Sequence, residues 1–399
     1  MAANVREGSK IKFSETLSAL KPSATLEITS KAKAMVKAGE NVVILAAGEP
    51  DFDTPQSIKN AAVKAIERGE TKYTPASGTL SLKKAIAEKL KRDNGLDYVP
   101  GQIVVSSGAK HSIYNVLRVL CNPGDEVIVL HPYWLSYPEM VRLAGGEPVT
   151  INTLADKGFK VSPEDIKKVV TKKTKAIILN SPSNPAGATY NKKELTAIAD
   201  ICFNEGIVII SDEIYEKITF DGEKHFSIAA VSPEVQDITV LINGVSKSYS
   251  MTGWRIGYLA ASFEMASLVS NFQSQTTSNP CSISQAAAEY ALNSLDLEEE
   301  LRKNCEEYRK RRDVMLDLFS GQKKIMPFKP LGAFYMFCDI SATGMGSMEF
   351  AGKLLNEKKV AVIPGEPFGD DRYIRLSFAT DLGTIKEGVG RIMQWVEGL

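Results

Sequence analysis

The sequence predicts an α/β protein: a large domain built on a mostly parallel sheet, followed by a smaller α/β domain. Three observations carry this reading. Short runs rich in Val, Ile and Leu alternate with helical patterns from about residue 100 to residue 260, the texture of a sheet covered on both faces. At 399 residues the chain exceeds what one hydrophobic core usually serves. Past residue 295 the alternation gives way to a long, highly charged helical stretch and a second set of short strands.

In chain order, VVILA (42–46), IVVSS (103–107), EVIVL (126–130), KAIILN (175–180), IVIIS (207–211) and ITVLI (238–242) read as buried strands. The stretch 54–69 reads as a helix with Thr54 as N-cap, Pro55 at the first helical position and Gly69 at its end. The stretches 81–95, 109–120 and 191–206 follow the same logic. A long helix over 297–321 leads into strands within 333–340, 358–365 and 373–378 and a closing helix at 384–397. No fixed-period repeat interrupts this plan.

Composition narrows the function. Lys plus Arg and Asp plus Glu both number 48, so the formal charge is zero. Nothing here calls for nucleic acid or a membrane as partner. The cysteines, 121, 202, 281, 305 and 338, form no CxxC pair, and His111, His131 and His225 are scattered. Neither a disulfide framework nor a metal site is expected. No segment reaches the apolar length of a membrane span, and the first twenty residues hold no apolar run of signal-peptide length. A cytoplasmic location is the expectation.

The segment richest in chemistry is NGVSKSYSMTGWRIGYLA (243–260). Its glycines and serines, following a buried strand, mark a tight loop suited to an anion such as phosphate. A lone lysine in a serine-rich loop is usually just solvated. Lys247 differs: it sits at the end of a buried strand, where ligands of open parallel sheets bind, with Arg255 close behind. Asp212 likewise ends the strand IVIIS, with Tyr215 soon after. Asn184 lies in the proline-rich turn LNSPSNPAGATY (179–190). Arg375 lies inside the apolar strand YIRLSF, and a buried arginine there requires an anionic partner.

Taken together these segments resemble the class I aminotransferases, which depend on pyridoxal 5′-phosphate (PLP). The run from Gly244 to Gly257, with Lys247, Gly253, Arg255 and Gly257 in register, is similar to that family's lysine signature. The resemblance covers the chain from about residue 20 onward. It implies PLP fold type I: a large domain with a mostly parallel seven-stranded sheet (51–296), a small C-terminal domain (297–399), and an N-terminal segment (1–50) packing with the small domain.

It also implies roles. Lys247 would be the Schiff-base lysine and the base of the proton transfer. Asp212 would keep the pyridine nitrogen protonated, while Tyr215 and Asn184 would hydrogen-bond the cofactor's 3′-oxygen. Ser107, Gly108, Ala109, Ser246 and Arg255 would hold the phosphate, joined by Tyr73 from the neighbouring subunit of a homodimer with shared active sites. Trp134 would stack on the pyridine. Arg375 would grip the substrate α-carboxylate with a fork that lysine cannot copy, near Gly48 and Asn184.

Among family members, Lys110 and the LKPSAT segment with Ser23 and Thr25 resemble the bacterial and plant-type aspartate aminotransferases. The implied reaction is exchange of an amino group between an amino acid and a 2-oxo acid: L-aspartate and 2-oxoglutarate giving oxaloacetate and L-glutamate. Other readings stay open at this level: prephenate as acceptor, an alanine or aromatic aminotransferase, a C–S lyase on the same fold, or a non-catalytic descendant.

Overall fold

The computed structural model describes residues 11–20 and 24–399. Ser23 lies outside the described residues. For Thr25 only the backbone is described, within the helix Ala24–Lys37.

The strands are β1 (Val43–Ile44), β2 (Ile103–Ser106), β3 (Glu126–His131), β4 (Glu147–Asn152), β5 (Thr174–Asn180), β6 (Val208–Asp212), β7 (Thr239–Gly244), β8 (Gly257–Ala260), β9 (Met326–Phe328), β10 (Tyr335–Asp339), β11 (Val360–Ala361), β12 (Ile363–Pro364) and β13 (Tyr373–Ser377). A seven-stranded sheet has the order β2-β8-β7-β6-β5-β3-β4. All its pairings are parallel except those of β8, which runs antiparallel to β2 and β7. Alternate residues feed opposite cores: Val127 and Val129 pack on one face with Ile113 and Val116, and Ile128 packs on the other with Leu195 and Ile198. Both faces are therefore covered, which accounts for the unbroken apolar runs.

A second, antiparallel sheet has the order β12-β13-β10-β9. Its core joins β10 and β13 to the helices Glu298–Leu318 and Leu382–Glu397 through Phe334, Tyr308, Met315, Ile385 and Trp395. The run VVILA does not enter the large sheet. Val43 and Ile44 pair in parallel with Val360 and Ala361. A five-residue apolar run carries no information about which sheet it joins.

One helix start differs from expectation. Pro55, not Thr54, occupies the N-cap of the helix Gln56–Glu67, and no side chain caps it. The Thr54 hydroxyl instead donates to the Ser250 carbonyl at 2.6 Å and accepts from Trp254 Nε1 at 3.0 Å. It ties the helix entry to the loop after Lys247. The neighbouring turn is pinned as well. Arg311 of the helix Glu298–Leu318 bonds both oxygens of Asp51 at 2.9 Å, and its guanidinium lies 5.0 Å from the Phe52 ring centre. Residues 48–54 are thus held from both sides next to Lys247.

Candidate active site

The carboxyl ends of β5, β6 and β7 open into a cavity of about 430 Å³, the place where open α/β sheets bind ligands. Its lining includes Gly48, Ala109, Lys110, Trp134, Asn184, Asp212, Tyr215, Ser246, Lys247, Arg255 and Arg375. Residues spread over more than 320 positions of chain are thereby brought to one place.

At one end lies a cup for an anion. The helix Ala109–Leu120 begins there, after Gly108 at φ 92°. A Cβ on Gly108 would stand 2.2 Å from Arg255 Nη2, and one on Gly257 would stand 2.1 Å from the Ala109 nitrogen. Only glycine at both positions lets β8 and the helix start close together around the guanidinium. Arg255 itself is left-handed (φ 55°) and donates to the carbonyls of Thr252 at 2.8 Å and Ser107 at 3.4 Å. Helix N-terminus, arginine and the Ser246 hydroxyl converge as phosphate binding requires. Ser107 and Gly108 form the wall behind Arg255 rather than the cavity surface.

On the cavity floor, Asp212 ends β6 and is almost fully buried. Oδ2 accepts from the Tyr137 hydroxyl at 2.6 Å and Oδ1 from the Ile214 amide at 3.2 Å. Burial pushes this carboxyl up to about 6, against the pull of those two hydrogen bonds. Lys247 donates to the Gly48 carbonyl at 2.6 Å. Burial brings its amine down to about 8, helped by Arg375 and Arg255 and opposed by Glu49 and Asp212. Such a lysine is readily neutral and nucleophilic near neutral pH.

Tyr215 shares a 2.9 Å hydrogen bond with Tyr335, and burial holds its phenol well above the ordinary range. Asn180 accepts from the Asn184 amide at 2.8 Å and donates to the Asp212 carbonyl at 2.9 Å, so one side chain sets two of the site's walls. Arg375 is buried, donates to Asn184 Oδ1 at 3.0 Å and to the Ala46 carbonyl at 3.3 Å, and lies 4.2 Å from the Tyr335 ring centre. Its Nε has no hydrogen-bond partner among the described residues. A buried guanidinium so placed calls for an added anion. Lys110 Nζ sits 4.6 Å from the Trp134 ring centre, and burial followed by Arg255 lowers its basicity.

Two expected residues are not gathered here. Tyr73 is 92% exposed and lies away from the cavity, and the Thr25 side chain is outside the described residues. Conversely, Tyr137 and Tyr335 escape the sequence reading. Tyr137 sits one helical turn beyond Trp134, edge to face with it at 5.3 Å. That spacing is a signal for Tyr137, whereas nothing in AFYMFCDI sets Tyr335 apart.

The arrangement fits PLP. The cup at Gly108 and Arg255 suits its phosphate, the buried Asp212 carboxylate suits its ring nitrogen, and Lys247 offers the amine for its aldehyde. Comparison with known proteins agrees. Residues 40–392 match the family model for aminotransferase class I and II. The chain is 47% identical over 392 residues to the aspartate aminotransferase of Bacillus subtilis (strain 168), covering 97% of this chain and 99% of that protein. It is 45% identical over 398 residues to the aspartate/prephenate aminotransferase of Cereibacter sphaeroides, covering 97% and 99%. The solved structure of aspartate aminotransferase from Thermus thermophilus with maleate superposes with a TM-score of 0.93 at 39% identity, covering 96% of this chain and 99% of that one. The chain belongs to the class I and II aminotransferase family: it is a PLP-dependent aminotransferase closely related to the bacterial aspartate aminotransferases.

Proposed function

We propose that the enzyme moves the amino group of L-aspartate to 2-oxoglutarate, giving oxaloacetate and L-glutamate. Of the cationic side chains lining the cavity, Lys33, Lys110, Lys247, Arg255 and Arg375, Arg255 and Lys247 are taken by the cofactor. The observation that carries this is the placement of Arg375 and Lys110. One is buried with an unpaired N–H, and the other lies over the Trp134 ring. Two cationic groups suit a substrate with two carboxylates, and the relatives named above act on aspartate.

Bound PLP supplies an electron sink for the carbanion left when the α-proton departs. The chain's own residues do the rest. Arg375 binds the α-carboxylate as a fork, with Asn184 beside it fixing the fork's plane. Lys110 meets the distal carboxylate. Lys247 Nζ, at a pKa of about 8, takes the α-proton. Asp212 would keep a proton on the cofactor's ring nitrogen, and Tyr215 and Asn184 would hydrogen-bond its 3′-oxygen. Ala109, Ser246 and Arg255 would hold the phosphate, with Ser107 and Gly108 backing the Arg255 guanidinium. Trp134, which lines the cavity, would stack against the ring.

The same proposal includes a homodimer in which Tyr73 of each chain reaches its partner's phosphate cup. Tyr73 is 92% exposed and so is accessible to a second copy of the chain. The proposal also includes a division into a large domain (51–296) and a small one (297–399), with the N-terminal segment (1–50) packing with the small domain. A cytoplasmic location fits five cysteines that are all free thiols. No helix among the described residues is long and apolar enough to cross a membrane.

The test is the visible spectrum of the PLP-loaded protein before and after L-aspartate, with no oxo acid present. Loss of the visible band and growth of a near-ultraviolet band is the expected first half-reaction. A band that ignores aspartate but responds to alanine or an aromatic amino acid would refute the dicarboxylate assignment.

A further inference from the structure

Behind the cavity lies a buried polar cluster that the reaction does not use. Glu213, next after Asp212, is 1% exposed and does not line the cavity. Its Oε1 accepts from the hydroxyls of Ser211 at 2.8 Å and Ser227 at 2.7 Å, and its Oε2 is 2.8 Å from His225 Nε2. Three residues on, buried Glu216 bonds Lys89 through one oxygen and Asn94 at 2.9 Å through the other. Glu213, Glu216 and His225 offer donor atoms within 4.8 Å of one another. Every carboxylate oxygen already has a protein donor, however, and Lys89 supplies the cation.

A carboxylate inside a domain costs free energy unless fully paired, so this cluster answers some need. Its position suggests which. The main chain of 211–214 carries Asp212, and it is tied on both flanks: the Asp212 carbonyl accepts from Ser181 N and Asn180 Nδ2, and Glu213 N donates to the Ile242 carbonyl. Those bonds, with the pairing of β6 to β5 and β7, hold the strand by its edges. Glu213, anchored by three donors, also holds the residue that follows Asp212 by its side chain.

We propose that Glu213 and His225 are a positioning pair for Asp212, setting the direction of its carboxylate toward the cofactor's ring nitrogen from behind the sheet. The proposal rests on the assignment of Asp212 to that nitrogen. The charges facing His225 are Glu213, Glu216 and Lys89. Burial alone would lower the imidazole's pKa, but the Glu213 carboxylate outweighs it and raises it.

The experiment compares His225→Gln, whose amide nitrogen can occupy the Nε2 place and donate, with His225→Leu, which cannot donate. Each PLP-loaded variant is mixed with L-aspartate in single-turnover mode, and the visible band is titrated against pH. For His225→Leu the expected result is a rate loss of roughly ten- to hundredfold with KM within about threefold, as for a slightly misplaced catalytic group, and a band midpoint displaced by about half a pH unit. His225→Gln is expected to recover the rate to within about threefold. Wild-type rate and midpoint in His225→Leu, with only the melting temperature lowered, would overturn the proposal, as would equal damage in both variants. Should His225→Leu not fold, Ser227→Ala removes one donor and carries the same test, with a loss of roughly threefold or more expected and wild-type behaviour overturning the proposal. Asp212→Asn separates the two layers. If it reacts at the wild-type rate, the assignment of Asp212 itself is wrong. If it is disabled while His225→Leu is not, only the positioning pair is wrong.

Discussion

Tyr137 donates a 2.6 Å hydrogen bond to Asp212 Oδ2 at the floor of the cavity. It opposes the burial that raises this carboxyl to about 6, so it keeps the carboxylate ionised near neutral pH. A hydrogen bond to a charged group contributes about 1.5–3 kcal/mol. Tyr137→Phe is therefore expected to slow the first half-reaction with aspartate by roughly ten- to hundredfold, measured by stopped-flow absorbance. An unchanged rate would show that Asp212 does not need its partner.

Arg375 is expected to serve every substrate alike, because all carry the α-carboxylate. Arg375→Lys keeps the charge and loses the fork. It is expected to lower kcat/KM for aspartate, glutamate and alanine together, each by roughly a hundredfold or more, while PLP stays bound. A loss confined to the dicarboxylic substrates would place Arg375 in the side-chain pocket instead.

Lys110 is expected to behave in the opposite way. Lys110→Ala removes the cation over Trp134 and should reduce kcat/KM for aspartate by roughly ten- to hundredfold, with alanine changed by less than about threefold. Substrate profiles of wild type and variant side by side decide it. Equal losses for both substrates would mean that Lys110 supports Trp134 or the cofactor rather than the distal carboxylate.

These side chains differ in how visible they are in the sequence, and the reasons are physical. Asp212 follows an apolar run and Arg375 stands inside one, so each is costly unless it has work to do. Lys247 is marked instead by the glycine- and serine-rich loop that follows a buried strand. The alternation of runs and helices likewise exposes the large sheet. What escapes is whatever depends on partners distant in the chain. The pairing of Val43 with Val360 is invisible because a short apolar run fits any sheet edge. Thr54 has the composition of a helix cap, yet tertiary contacts with Ser250 and Trp254 claim its hydroxyl. The strand β8 hides within GWRIGYLA because its glycine and arginine suggest a loop. Tyr335 shares a hydrogen bond with Tyr215 across 120 residues, and an aromatic residue in a strand ordinarily means only packing. Glu213 looks like a solvated neighbour of Asp212 until Ser227 and His225 are seen around it.

The raised Asp212 carboxyl also makes the stability of the cofactor-free protein depend on pH. Its folded value of about 6 lies above the ordinary 3.8, so the folded chain holds this proton more tightly than the unfolded chain does. Below about pH 4 the group is protonated in both states and costs nothing. Between 4 and 6 stability falls as pH rises, and above 6 the full cost remains. A shift of about 2 units corresponds to about 3 kcal/mol. Asp212→Asn removes the titration. The Tyr137 hydroxyl can turn to accept from the new amide, so the local bonding survives. The variant is therefore expected to match wild type in melting temperature near pH 4 and to exceed it by several degrees at pH 8, both measured without PLP. Saturation with PLP should reverse the order at pH 8, because only the carboxylate can pair with a protonated ring nitrogen. A constant difference between the two proteins at both pH values would mean that Asp212 is already ionised at its ordinary pKa, and that its burial is compensated by groups other than Tyr137 and Lys247.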